Sequence, residues 1–288
     1  IMRFVGAPFV FSFQQVGTNC GLIGKNAAVE VDGSAYWMSE NGFFRYTGKL
    51  DSLACLVEDY VYDDMNTVPK QHIYAGLNNL FGEVTWFYPG SGAASNNRSV
   101  TYNYMDSTPE RPVWTTSTLA RSAWSDSHIF GKPHATEYDS SATSDTTVGN
   151  TDGVTVYYEH ETGQDQIKAG ARTGISASIE SGDFDISATQ GGGADLRGDG
   201  EHMMKIRRVL PDFLQQTGDA RVTLNLKNYP TDSQASSSLG PFTTTTSTTK
   251  IDTRARARAI SLKVDNTSTK QHWKLGTFRL DIQADGRR

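Results

Sequence analysis

The sequence predicts an all-β protein, on three observations. Tight-turn dipeptides recur between short aromatic-rich runs, 27 glycines and long Ser/Thr tracts supply surface turns, and sustained 3.6-residue periodicity is scarce. At 288 residues, 37% hydrophobic and 10% aromatic, the chain is long enough to bury one large core or two ordinary ones.

The elements follow in order. In VDGSAYWMSENGFFRYTGKL, residues 31–50, Asp32-Gly33 and Asn41-Gly42 provide the positive-φ positions that two-residue hairpin turns require. They predict a three-stranded antiparallel meander over 27–31, 34–39 and 42–47. Such a meander is most of one β-propeller blade, and equally a part of many sandwiches and barrels. Leu50, Leu53, Ala54, Val57, Tyr60 and Val61 then recur on one helical face with Asp51 placed to cap it, so one short helix is expected near 51–65. Strands resume at 72–77, 82–88, 99–105, 112–117, 123–130 and 154–161, between turn clusters such as Pro89-Gly90-Ser91-Gly92 and Asn150-Thr151-Asp152-Gly153. Trp37, Trp86 and Trp124 each fall inside a predicted strand, roughly 40 to 50 residues apart, near the period of a four-stranded blade. Ordinary sheet-core packing accounts for them equally well.

Between 162 and 200 the composition shifts to Gly, Ser, Asp and Gln, through Gly191-Gly192-Gly193 and Arg197-Gly198-Asp199-Gly200. This sets a boundary near residue 165. Residues 1–165 are expected to form propeller blades, incomplete because an upstream part is missing, as the opening on Ile1 and a strand-like 3–13 suggests. Residues 166–288 are expected to form a β-sandwich-like platform with strands at 184–190, 201–209, 220–228, 242–262 with a break, and 273–282. The tract 243–249 is either a strand or a rim.

The formal charge of −5 excludes an overall basic field that would draw the protein to nucleic acid or an anionic membrane, so any DNA contact is local. Cys20 and Cys55 give no disulfide framework and no metal spacing, which reads as free buried thiols. No run approaches the roughly 18 apolar residues of a transmembrane helix, and no signal peptide is read, so no direct membrane insertion is expected.

The sharpest local pattern is Arg254-Ala255-Arg256-Ala257-Arg258-Ala259. On a strand, alternate side chains share a face, so Arg254, Arg256 and Arg258 would line one side about 6.5 to 7 Å apart. Such a basic stripe suits phosphates or an acidic partner surface, and equally a solvated face ion-paired to Asp281 or Glu201 on neighbouring strands. Met203, Lys205 and Arg207 form a weaker alternation. Glu159 and Glu161 would share a strand face at a glycosidase-like separation, yet such carboxylates normally come from different strands around a cleft. His128 and His134 fall in a predicted loop without a supporting Cys or acid cluster, and Asp183-Phe184-Asp185 lacks the glycine and terminal glutamate of a calcium loop. Walker A, GxSxG and GxGxxG patterns are absent. No enzyme activity, metal or cofactor is expected.

CGLIGKNAAVEVDGSAYWMSENGFFRYTGKL, EVTWFYPGSG, RSVTYNYMD, RSAWSD, GVTVYYEHETG and the terminal HWKLGTFRLDIQADGRR, taken in this order, resemble the tail nozzle proteins of short-tailed bacteriophages, also called tail tubular protein B or packaged-DNA stabilisation proteins. The resemblance spans roughly 19–161 and 201–288 and rests on the order of the stretches. It implies a propeller with β-rich platform domains, a homohexameric ring below the tail adaptor, and a channel that retains and then passes double-stranded DNA. It also implies a virion protein made in the host cytoplasm. Family members are much longer than 288 residues, so these blades alone would not close a propeller. A host-surface module using exposed Trp114 or Tyr102 to stack on sugars is the alternative, and a depolymerase using Glu159 or Glu161 a third.

Overall fold

The computed structural model describes residues 1–126, 129–139, 153–168, 170–186, 202–229 and 237–286. The protein is nearly all β, with one α-helix among the described residues, and divides into two compact units, Ile1–Thr162 and Gly163–Arg288.

The first unit opens on a hairpin of β1 (Met2–Phe4) and β2 (Phe11–Phe13), both wholly exposed. β3 (Ala28–Val31), β4 (Ser34–Ser39), β5 (Gly42–Tyr46) and β6 (Leu50–Leu53) then form an antiparallel meander of four strands. Its two turns differ. Asp32 and Gly33 both take positive φ, the primed two-residue turn, whereas between β4 and β5 only Gly42 does, following Glu40-Asn41.

The fourth strand corrects the expected helix. Leu50–Leu53 pairs with β5 and buries Leu53, while Asp51, rather than capping a helix, reaches Arg45 across the ladder at 3.4 Å. Leu50 and Leu53 also satisfy an i, i+3 helical spacing, which misled the periodicity. The helix α1 is Glu58–Asp64, with Val57 at its start and no side-chain cap. It buries Val61 and uses Tyr62, whose hydroxyl donates to the Ser39 carbonyl at 2.7 Å and accepts the Gly42 N–H at 3.2 Å, to pin the β4–β5 turn.

A second four-stranded meander follows: β7 (Tyr74–Asn78), β8 (Glu83–Tyr88), β9 (Arg98–Asn103) and β10 (Trp114–Ser117). A third sheet comprises β11 (Ala123–Ser125), β12 (His134–Asp139) and β13 (Val154–Glu159). The first strands of the three sheets are neighbours, β7 lying beside both β3 and β11. Indole N–H groups tie the sheets in sequence. Trp86 on β8 donates to the Ala27 carbonyl at 3.0 Å, and Trp124 on β11 donates to the Leu77 carbonyl of β7 at 2.7 Å. The core is aromatic, with Phe43 and Trp86 fully buried at a ring separation of 5.0 Å.

In the second unit, strands occupy the Gly/Ser-rich region that read as a boundary: β14 (Asp165–Lys168), β15 (Ala171–Gly174) and β16 (Ala177–Glu180). β16 finds its partner far along the chain, Ala177 opposite Asn266, which no local composition reveals. β17 (Met204–Leu210), β18 (Phe213–Thr217), β19 (Ala220–Lys227), β20 (Ser237–Thr244), β21 (Ile251–Ala257), β22 (Ala259–Asn266), β23 (His272–Leu275) and β24 (Arg279–Ala284) complete it. The sheets β16-β22-β19-β20 and β21-β17-β24 share one core. Val222, Leu224 and Leu226 alternate inward from β19, and Ile251, Ala255 and Ala257 from β21.

Two expectations resolve here. Thr243 and Thr244 end β20, after which Thr245 and Thr248 close a turn through mutual backbone and hydroxyl bonds. Phe184 makes one bridge, to Ile260, and 187–190 of the expected strand lie outside the described residues.

Candidate functional site

The outer face of β21-β17-β24 gathers the cationic residues. β21 alternates strictly, so Asp252, Arg254 and Arg256 point outward while Thr253, Ala255 and Ala257 are buried. The expectation of three aligned arginines is corrected at its end. Arg258 lies past the strand, half-buried, its backbone N–H bonded to the Lys227 carbonyl at 3.1 Å.

β17 adds more cations than alternation foresees. Lys205 is outward, but Met203 is buried, which breaks the expected Met203, Lys205, Arg207 set. A register shift between Ile206 and Arg208 leaves both Arg207 and Arg208 exposed, and Thr253 fills it by donating its Oγ1 hydroxyl to the Ile206 carbonyl at 2.6 Å. β24 contributes Arg279, Asp281 and Gln283.

The register sets the electrostatics. Lys205 stands directly opposite Arg256, a like-charge cross-strand pair, which is unfavourable for folding. Asp285 partly offsets it by accepting from Arg256, and this bond holds its carboxyl below the usual carboxylate range. Asp252 is likewise held down by Lys250 at 2.9 Å and Arg208 at 3.1 Å. Arg208 also sits opposite Asp281 on β24. Glu201, an alternative partner in the sequence reading, lies outside the described residues. Among the described residues, Lys205, Arg207, Arg208, Arg254, Arg256 and Arg279 share this face with the carboxylates Asp252, Asp281 and Asp285. Arg207, Arg254 and Arg279 make no side-chain hydrogen bond or ion pair to any described residue.

The charge of the chain is divided in the same sense. Gly163–Arg288 carries 18 Lys and Arg against 14 Asp and Glu, a formal +4, and Ile1–Thr162 carries 9 against 18, a formal −9.

The candidate carboxylate pair separates. Glu159 ends β13 and takes Lys132 at 3.6 Å, whereas Glu161 lies beyond the strand at a φ of 55° and accepts from Asn78 Nδ2 at 3.0 Å. They do not share a strand face. Burial holds the Glu161 carboxyl above its usual range, and does the same for Glu83, with Glu161 adding to the effect. His134 is not in a loop but opens β12, bonded to the Tyr157 hydroxyl, while His128 lies outside the described residues. Cys20 and Cys55 are free but only half-buried, and burial pushes the Cys55 thiol up to about 11. Among the described residues no three His, Cys, Asp or Glu side chains gather as metal ligands, and no helix is long and apolar enough to cross a membrane.

A buried polar cluster escaped the sequence reading. Arg121, 4% exposed, bonds His160 Nε2 at 3.0 Å and the Ala120 carbonyl at 2.6 Å, pairs with Glu137 at 3.4 Å, and lies 4.0 Å above the Tyr158 ring. Its bonds are satisfied internally, so it organises the third sheet. Trp114 and Tyr102 are not the fully exposed aromatics that the sugar-stacking alternative expects. Tyr102 is buried, and Trp114 packs on Phe43, Trp86 and Tyr102 with its indole N–H on the Ala54 carbonyl at 2.8 Å.

Comparison of the chain with protein-family models and with curated proteins returns no match to either.

Proposed function

We propose that this chain is a structural component of the tail nozzle of a short-tailed bacteriophage, where copies of it form a homohexameric ring that abuts the tail adaptor and encloses the DNA path. In this reading it retains packaged double-stranded DNA and passes it at ejection. The observation that carries the reading is the succession of meanders whose first strands, β3, β7 and β11, lie side by side and are tied by Trp86 and Trp124. Propeller blades succeed one another around an axis in this way. The order of the stretches that resemble nozzle proteins agrees with it, as does a second unit built of two sheets over one core.

The charge distribution is compatible with a conduit. A uniformly basic lining would bind DNA at many phosphates and resist sliding, whereas this chain is acidic overall and confines a local cluster of cations to one sheet face. Cryo-EM of particles that carry the chain, with native mass spectrometry of the intact product, tests the proposal. A ring of six at the tail tip around the DNA path supports it; a monomer or trimer at the particle periphery overturns it.

A further inference from the structure

We infer that the outer face of β21-β17-β24 is a binding site for the phosphate backbone of double-stranded nucleic acid, engaged by Lys205, Arg207, Arg208, Arg254, Arg256 and Arg279. The inference deepens the nozzle proposal and rests on it for the identity of the polyanion.

Three features point outward from the fold. The Lys205–Arg256 juxtaposition is unfavourable within the protein and becomes favourable when an anion lies over it. The register shift at Ile206 exposes two consecutive arginines where regular alternation would expose one. Arg207, Arg254 and Arg279 make no side-chain hydrogen bond or ion pair to any described residue. The three carboxylates of the face leave an excess of cations, and two of them, Asp252 and Asp285, are already engaged by Lys250, Arg208 and Arg256.

The residue types and spacing suit phosphates. Five of the six cations are arginines, whose planar fork pairs bidentately with phosphate oxygens. Outward cations at alternate positions of a strand lie about 7 Å apart, on the order of the separation between neighbouring phosphates of one nucleic-acid strand. Contacts to phosphate oxygens carry no sequence information, so the inferred binding is independent of sequence.

The test is fluorescence anisotropy of a labelled random-sequence duplex titrated with the 288-residue chain at several salt concentrations. With about four phosphates engaged, the log–log salt slope is expected near about −3.6, and each of R207Q, R254Q and R279Q should reduce its magnitude by about one. These three are chosen because no described residue depends on them, and thermal melting checks that the variants remain folded. Absence of binding at low salt overturns the inference, as does binding that the triple variant leaves unchanged. Loss of self-association in the triple variant without duplex binding by the parent chain also overturns it, in favour of an acidic protein surface. Failure here leaves ring position in the particle to be judged by its own measurement, so the two proposals fail separately.

Discussion

Arg121 donates its Nε–H to Nε2 of His160 at 3.0 Å, which makes the neutral imidazole an acceptor at that nitrogen and leaves its proton on Nδ1. Burial first, then the Arg121 cation and His134, push His160 down to about 4. The unfolded chain protonates it near about 6.5, before the folded chain does. Stability is therefore complete above about pH 6.5 and is lost as the pH falls toward about 4, by on the order of 1–2 kcal/mol once solvent screening is allowed for. Urea unfolding across that interval should show the loss. His160→Gln keeps an acceptor for Arg121 without titrating and should flatten this part of the profile.

Replacing Arg121 itself should be more damaging. Arg121→Met keeps volume but removes the cation paired with Glu137, 15% exposed, and the donor to His160. Breaking a buried pair from one side typically costs about 3 kcal/mol or more. Chemical denaturation should show a lower midpoint with an unchanged slope, and Arg121→Lys should recover only part of the loss because it lacks the planar fork.

Gly76 on β7 has no room for a side chain. A Cβ there would lie 2.6 Å from Trp124 Cγ and 2.8 Å from Cδ1. Gly76→Ala should push the indole away from its bond to the Leu77 carbonyl and cost about 1–3 kcal/mol. Trp124 fluorescence, followed in a background where the other tryptophans are replaced by Phe, should shift to the red as the ring meets water.

In the second unit, Asp165 accepts the Lys270 N–H at 2.7 Å and Arg172 at 2.9 Å, joining the β14–β15 hairpin to the loop after β22. The backbone bond first, then Arg172, hold its carboxyl below the usual range. A depressed carboxylate stabilises above its unfolded value, about 3.9, and that contribution disappears as the pH falls through the lower folded value. Asp165→Asn should reduce the melting temperature at pH 7 and shrink the difference between pH 7 and pH 3.

Local chemistry was legible where it sufficed. Asp32-Gly33 reports its primed turn directly because positive φ at both positions is a property of those two residues. The Arg/Ala alternation at 254–257 likewise predicts one outward and one buried face, since period 2 is intrinsic to a strand. Leu50 and Leu53 were ambiguous because i, i+3 spacing serves both a helix face and the ends of a short strand. His134 read as loop because its strand is made by pairing with Glu159 and its neighbours, not by its own composition.

The amino-acid sequence by itself determined the all-β class, the turns, the faces of the amphipathic strands and the arginine-rich segment, because each depends on neighbours in the chain. Tertiary structure alone decided that Lys205 meets Arg256, that Arg208 and Arg279 join their face, that Arg258 leaves it, and that Arg121 is buried beside His160. Those outcomes depend on strand register and on bulges, where a shift of one residue reverses the face a side chain occupies, and register is settled only when distant strands pair and share a core.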